Sequence, residues 1–362
     1  MKFALFYHTL LSDWNHGNAH FLRGIVSELL SRGHDVRVFE PKDSWSRKHL
    51  LAEHGSKPIR KFRAAYPQLE STLYEPRNID LDKALDGVEA AIVHEWNDPF
   101  FVHRIGRHHA KTRKYSLLFH DTHHRMVTDP TSMDAYDLSH FDGVLAYGKV
   151  LRNLYLERAR TARAWIWHEA ADIRVFKPEQ EVEKEGDVIW VGNWGDGERT
   201  AELERFLIEP VRALALKARV FGVRYPATAQ AALAEAGIEY GGWLPNFEVP
   251  RTFAQYKLSL HIPRQPYVKA LPGIPTIRVF EALACGIPLI SSPWSDAEHL
   301  FRPGKDFLMA RQPAEMRKHI ETVLHEPDYA AALAKNGLET IRNRHTCAHR
   351  VDELLAICQE LK

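Results

Sequence analysis

Cysteine is scarce: Cys285, Cys347 and Cys358 are the only three in 362 residues, and no two form a CxxC pair. That excludes a disulfide framework and a zinc ribbon, and it predicts a reducing, cytoplasmic setting. Long apolar runs are missing too; none reaches the roughly 20 residues that span a bilayer. The opening MKFALFYHTLL turns polar at Ser12-Asp13 and has no small-residue cleavage site, so it reads as a first strand and not a signal peptide. Peripheral contact with a membrane stays compatible with this. Neither sign of charge is in excess, since 48 basic and 47 acidic side chains give a formal net charge of +1. Without a global basic field, no nucleic-acid partner is expected. Short repeats and the GxGxxG fingerprint are absent. The second absence argues against a nicotinamide-dependent dehydrogenase.

What is present suffices for two cores: 45% of the residues are hydrophobic, in a chain longer than one ordinary domain. An apolar run at 2–8 is followed by Phe21, Leu22, Ile25, Val26, Leu29 and Leu30 at helical spacing, then by a second apolar run at 36–39. This strand–helix–strand unit predicts a parallel sheet. Further strands are expected at 88–94, 115–120, 143–147 and 164–167, with helices at 101–109 and 150–159. After the charged stretch 179–186 a second series begins. Its strands are expected at 188–191, 219–222, 258–262 and 288–291, with a helix at 198–207 and a helical tail from 314 that Pro327 breaks once. The segments 42–77 and 125–137 read as polar, basic and aromatic loops. The fold class is therefore α/β, with two doubly wound Rossmann-like domains facing across a cleft. The boundaries read as 1–168 for the first domain, 169–186 for a linker, 187–344 for the second domain, and 345–362 for a C-terminal helix that crosses back.

The chemistry concentrates in PGIPTIRVFEALACGIPLISSP, residues 272–293. A proline-kinked loop, Gly273-Ile274-Pro275-Thr276, opens a helix and offers free N–H groups to an anion. Glu281, one to two turns further in, is a bidentate acceptor suited to two ribose hydroxyls. Arg278, Arg264 and Arg199 are planar forks that match diphosphate oxygens; each also fits an ordinary exposed position. Gly192-Asn193 begins a glycine loop after a strand, and Gly17-Asn18 precedes the first helix. Both let backbone approach a phosphate, or simply serve a turn. Together these residues suit a nucleotide-diphosphate sugar. No metal site is expected: His16 and His20 stand four apart, but no third-ligand motif accompanies them.

In this order the motifs resemble the GT-B glycosyltransferases, in particular glycosyltransferase family 4 and its CgeB-like (spore-maturation) branch. The resemblance rests on SRGHDVRVFEP after the first helix, His94-Glu95-Trp96, His120-Asp121, ADIRVFKP at 171–178, RVFEALACGIP at 278–288, and His345-Thr346 before Arg350. It implies a sugar-nucleotide-dependent hexosyltransferase in glycan biosynthesis that retains anomeric configuration and needs neither metal nor cofactor. It places His120 beside the transferred sugar, His94 and Asp121 on the acceptor side, and Trp243 and Leu244 on the nucleobase. The acceptor is a saccharide, a glycolipid or a small metabolite. Members usually carry two glutamates separated by seven residues; Glu281 matches the second, and Gly273 stands at the first. Two alternatives stay open: a sugar-nucleotide epimerase on the same fold, and a nucleotide- or sugar-binding protein without catalysis.

Overall fold

A computed structural model describes all of residues 1–362. The chain divides into two compact units, Met1–Glu169 with Cys347–Lys362, and Ala170–Thr346.

Unit 1 is a seven-stranded sheet. In chain order its strands are β1 (Lys2–Phe6), β2 (Asp35–Pro41), β3 (Thr72–Tyr74), β4 (Ala90–His94), β5 (Ser116–Asp121), β6 (Gly143–Ala146) and β7 (Ala164–Ile166). The spatial order is β3-β2-β1-β4-β5-β6-β7, and every pairing is parallel. Residues Phe3 to Phe6 have no exposed surface at all, as a strand covered on both faces requires. The periodic helix is Ala19–Ser31, with Leu22, Ile25, Val26 and Leu29 buried. The C-terminal helix, Cys347–Glu360, belongs to this unit: Arg32 pairs with Asp352, and the Trp167 indole N–H donates to the Arg350 carbonyl at 2.8 Å.

The segment 42–77 is not a loop. It contains the helices Trp45–His54 and Lys57–Ala65 and strand β3. Its residues read as loop because only Leu50, Pro58 and Phe62 among a few others turn inward, too few to register as a helical period. The segment 125–137 likewise holds two single-turn helices, Arg125–Thr128 and Pro130–Asp134.

Unit 2 is a six-stranded parallel sheet of β8 (Gly186–Val191), β9 (Ala218–Phe221), β10 (Ile238–Tyr240), β11 (Tyr256–His261), β12 (Leu289–Ser291) and β13 (Leu308–Met309). The order is β10-β9-β8-β11-β12-β13. The expected helix at 198–207 is broken up: a short helix Thr200–Leu203 runs into a wide π turn at Glu204–Ile208 and then into Glu209–Ala213. Pro210 lies at that last junction and has no N–H for the carbonyl four residues back, so the ladder widens instead. The tail forms Pro313–His325 and Pro327–Arg344, divided at Pro327.

In each sheet the order reverses once, between β1 and β4 in unit 1 and between β8 and β11 in unit 2. Side chains beyond the carboxyl ends of those strands line the crevice where such sheets take ligands.

Candidate functional site

In unit 2 the ends of β8 and β9 are locked together. Gly222 adopts φ +155°, and a Cβ there would lie 2.1 Å from the Gly192 carbonyl oxygen. Only glycine fits this approach. The Asn193 side-chain oxygen accepts the Val223 N–H at 3.0 Å, which fixes the start of the glycine loop. Across the crevice, the Arg199 guanidinium donates to the carbonyls of Asn193 and, at 2.8 Å, of Ile262 just past β11. It lies 5.1 Å over the Trp190 ring. These partners are neutral carbonyls, whose partial charges do not balance a full cation. Burial, and next to it the neighbouring Arg264 and Arg278 charges, push its pKa down to about 9. Arg264 pairs with Glu198 at 3.1 Å, and Arg278 pairs with Glu281. Three guanidinium groups thus face one neighbourhood at the switch point, an arrangement that favours an anion.

Glu281 sits in the helix Ile277–Ala284 and has no exposed surface. One of its oxygens accepts the Asn246 amide at 2.8 Å, and the other accepts Arg278. The loop Gly273–Thr276 precedes this helix. The Thr276 hydroxyl bonds the Nε2 of His261 at 3.0 Å, while the His261 Nδ1 bonds the Ser291 hydroxyl at 2.8 Å. Ser291 gives its own proton to the Ser292 carbonyl, so Nδ1 donates and Nε2 accepts. Thr276 therefore spends its hydroxyl on His261 and does not cap the helix, whose first N–H groups lack a side-chain partner. His261, at the end of β11, is a candidate in the sequence only through ending a strand; no motif marks it. Trp243 and Leu244 follow β10 and are half-buried.

In unit 1 a cluster of histidines lies at the carboxyl ends of the strands. His8, His16, His94 and His120 form a row with ring centroids 5.4, 6.3 and 5.3 Å apart in that order. His94 accepts the Trp96 N–H and donates to the Thr122 hydroxyl at 3.1 Å; that hydroxyl in turn donates to Glu95 at 3.3 Å. His120 lies edge-on to Trp167 at 4.8 Å, and neither of its ring nitrogens has a hydrogen-bond partner. The same holds for both polar atoms of the half-buried Asn18 side chain, at the start of the first helix beside Gly17. Asp121 is occupied: it accepts the Tyr155 hydroxyl at 2.8 Å and the His123 N–H at 3.0 Å. Glu95 pairs with Arg125, which lies 4.2 Å over the ring of the exposed Trp96. Of this cluster, sequence reasoning selects His94, His120, Asp121, Gly17 and Asn18, and His8 as a residue at a strand's carboxyl end. It takes His16 only with His20, as a metal pair without a third ligand, and not as part of this row, because the path of the loop that carries it is defined only by the fold. No group of three or more His, Cys, Asp or Glu side chains is placed to hold a metal ion. No helix is long and apolar enough to cross a membrane.

Buried neutral histidines make stability pH-dependent. Burial lowers the pKa of His8 to about 4 and those of His120 and His261 to about 3, and it lowers His16 and His94 well below the usual value. An unfolded histidine takes up its proton near pH 6.5. Below that pH the unfolded chain binds more protons, at up to about 1.4 kcal/mol per pH unit for each ring. Stability is therefore full above about pH 6.5 and falls toward pH 4. Burial raises the pKa of Glu95 to about 8 and raises that of Asp121, and these two groups work in the opposite sense. The five rings outnumber them. Urea midpoints at pH 7.5, 5.5 and 4.5 check this, and a midpoint that holds or rises on acidification counts against neutral rings.

Residues 199–356 match the family model described as glycosyl transferase-like, which is less than half of the chain. No curated protein matches. Among solved structures, the sucrose-phosphate synthase from Thermosynechococcus elongatus is 13% identical, covers 100% of this chain and 99% of its own, and gives a TM-score of 0.69. An α-glucosyltransferase in complex with UDP-glucose and DNA containing an abasic site is 11% identical over 99% of both chains, with a TM-score of 0.72. The Anabaena HepE protein in complex with UDP is 13% identical, over 99% of this chain and 100% of that one, with a TM-score of 0.68. At these identities the likeness shows the fold, and that fold is GT-B: two parallel sheets, each flanked by helices, in two Rossmann-like domains.

The exclusion of nucleic acid drawn from balanced charge does not hold, because a chain of this fold has been solved bound to DNA. Net charge averages over a surface, whereas a partner meets one patch of it. In unit 1 the helix Lys57–Ala65 carries Lys57, Arg60, Lys61 and Arg63 and no acid, inside a chain of net charge +1.

Proposed function

We propose that the protein is a glycosyltransferase that moves a sugar from a nucleotide-diphosphate sugar to an acceptor hydroxyl, related to glycosyltransferase family 4 and its CgeB-like branch. The observation that carries this reading is Arg199, enclosed at the unit 2 switch point beside Arg264 and Arg278 with neutral carbonyls for partners. A diphosphate supplies the missing negative charge, and the uncapped N-terminus of Ile277–Ala284 adds N–H donors. Glu281 serves the ribose side after yielding Asn246 or Arg278. Trp243 and Leu244 flank the base. The unit 1 row supports an acceptor and transferred-sugar role, because its neutral, partly unpartnered polar groups suit hydroxyls and not phosphates.

In the transfer, the bond from the sugar C1 to the diphosphate oxygen breaks, and its electron pair stays on that oxygen. The arginines stabilise the charge that develops there. The acceptor oxygen bonds C1 from the same face, and its proton passes to the departing diphosphate. The configuration is retained and no metal enters. His120 lies near the sugar in this reading.

Thermal-shift titration with UDP, GDP, dTDP and ADP tests it, because a ligand of the native state raises the midpoint. One nucleotide is expected to do so. Its sugar conjugates are then screened against saccharides, glycolipids, metabolites and oligonucleotides for release of the diphosphate. No shift with any of the four, in folded protein, would sink the donor site.

A further inference from the structure

Burying the Trp96 indole would be favourable, yet the side chain is 40% exposed, two residues past the end of β4. It is also held firmly. Its backbone N–H donates to the His94 Nδ1 at 3.4 Å. The Arg125 guanidinium lies 4.2 Å over the ring, the His123 ring meets it nearly edge-on at 5.1 Å, and the His8 ring lies 6.0 Å away. Arg125 is anchored in turn: it donates to the Glu95 carbonyl at 2.9 Å and pairs with the fully buried Glu95 carboxylate. The Tyr136 hydroxyl donates to the same carbonyl at 2.7 Å. The indole is thus fixed in one orientation while much of its surface stays in water. A ring ordered beforehand loses little entropy when a partner stacks on it.

The same indole adjoins buried polar atoms that lack partners. From Trp96 the ring contacts run through His8 to His16, and on to His94 and His120. The His16 ring hydrogen-bonds the Thr9 carbonyl, which takes the proton of Nδ1, and its Nε2 is left as an acceptor with no donor. Tyr7, whose ring stands 6.3 Å from that of His94, has a buried hydroxyl without a partner too. Native proteins satisfy nearly all buried polar atoms, so these open ones point to a hydroxyl-bearing ligand or the water it displaces.

The surrounding chemistry narrows the ligand. The axial C–H bonds on one face of a pyranose ring carry partial positive charge and suit the negative face of an indole. Its hydroxyls suit the neutral groups of the histidine row. A phosphate or an anionic lipid head needs an unpaired cation, and Arg125, the cation at the ring, is already paired with Glu95. A nucleobase also stacks on indole, but its phosphates would approach the buried acids Glu95 and Asp121. We infer that Trp96 is the platform on which a pyranose ring of the acceptor stacks, so that the acceptor is a saccharide. This rests on the transferase reading above and narrows it.

The test applies the full-length protein to an array of defined oligosaccharides, with a single-stranded DNA oligonucleotide and phosphatidylglycerol vesicles as rival partners. Wild type is expected to bind at least one class of oligosaccharide. Trp96→Leu keeps apolar bulk but no π face, and it weakens that binding about 10-fold or more, whereas Trp96→Phe stays within about threefold of wild type. The unliganded thermal midpoint and the nucleotide-induced shift, read on the same samples, stay as in wild type in both variants. Oligosaccharide binding that is intact in Trp96→Leu overturns the inference, as does a wild type that holds DNA or vesicles and no oligosaccharide. A loss matched by an equal loss of midpoint or of nucleotide shift makes Trp96 a structural brace and overturns it as well. A nucleotide shift without any oligosaccharide bound refutes this inference alone. Saccharide bound through Trp96 without a nucleotide shift supports it and refutes the donor site.

Discussion

Arg199→Met is expected to shrink the nucleotide-induced thermal shift sharply while leaving the unliganded midpoint unchanged or higher. Arg199 is a cation enclosed against Trp190, and burial together with Arg264 and Arg278 opposes its charge. Methionine fills a similar length without that charge. The loss is two hydrogen bonds to carbonyls, worth about 1 kcal/mol each. Removing a half-buried charge that its hydrogen bonds meet only with neutral carbonyls offsets that loss. Diphosphate binding then loses a charge-assisted contact of about 1.5–3 kcal/mol, or roughly 10- to 100-fold in affinity. Arg199→Lys keeps a charge but cannot reach both carbonyls, and it falls between the two. If the methionine variant melts several degrees lower and still binds nucleotide, Arg199 is a brace for the glycine loop and not an anion ligand.

Glu281→Ala is expected to do the opposite: to damage the fold of unit 2 before it reports on binding. The carboxylate is fully buried and holds both Asn246 and Arg278. Truncation strands a guanidinium and an amide, a loss of about 3–5 kcal/mol. For a unit of this size that corresponds to a fall of roughly 10 °C in the midpoint. Glu281→Gln keeps the hydrogen bond from Asn246 and weakens only the ion pair, so its midpoint falls by less than half as much. Nucleotide affinity is therefore best compared between wild type and the glutamine variant. An alanine variant that melts like wild type would mean that the Glu281 contacts contribute nothing to stability.

The repeating strand–helix order was legible because burial on both faces makes parallel strands nearly continuous apolar runs. The runs at 2–8 and 88–94 each contain a strand of the unit 1 sheet, Lys2–Phe6 and Ala90–His94. Short peripheral elements were not legible. Thr72–Tyr74, Ile238–Tyr240 and Leu308–Met309 are two or three residues long, and pairing with a longer neighbour defines each of them. Lys57–Ala65 escaped notice because its apolar anchors are only Pro58 and Phe62, the latter under the Arg23 guanidinium at 4.6 Å.

At the site the same division applies. Residue type and order along the chain single out Arg199, Arg264, Arg278 and the 273–276 loop as candidates, because anion recognition needs guanidinium forks and helix-opening N–H groups wherever they fall. Sequence alone also determined the two alternating series, since hydrophobic period is a local property. Only the tertiary structure decided what each polar atom is paired with. It turned the Thr276 hydroxyl toward His261, closed Glu281 between Asn246 and Arg278, and brought His8 and His16 beside His94. Those pairings depend on the crossing of strands distant in sequence, and a hydrogen bond is decided by the last ångström of approach, which no local pattern encodes.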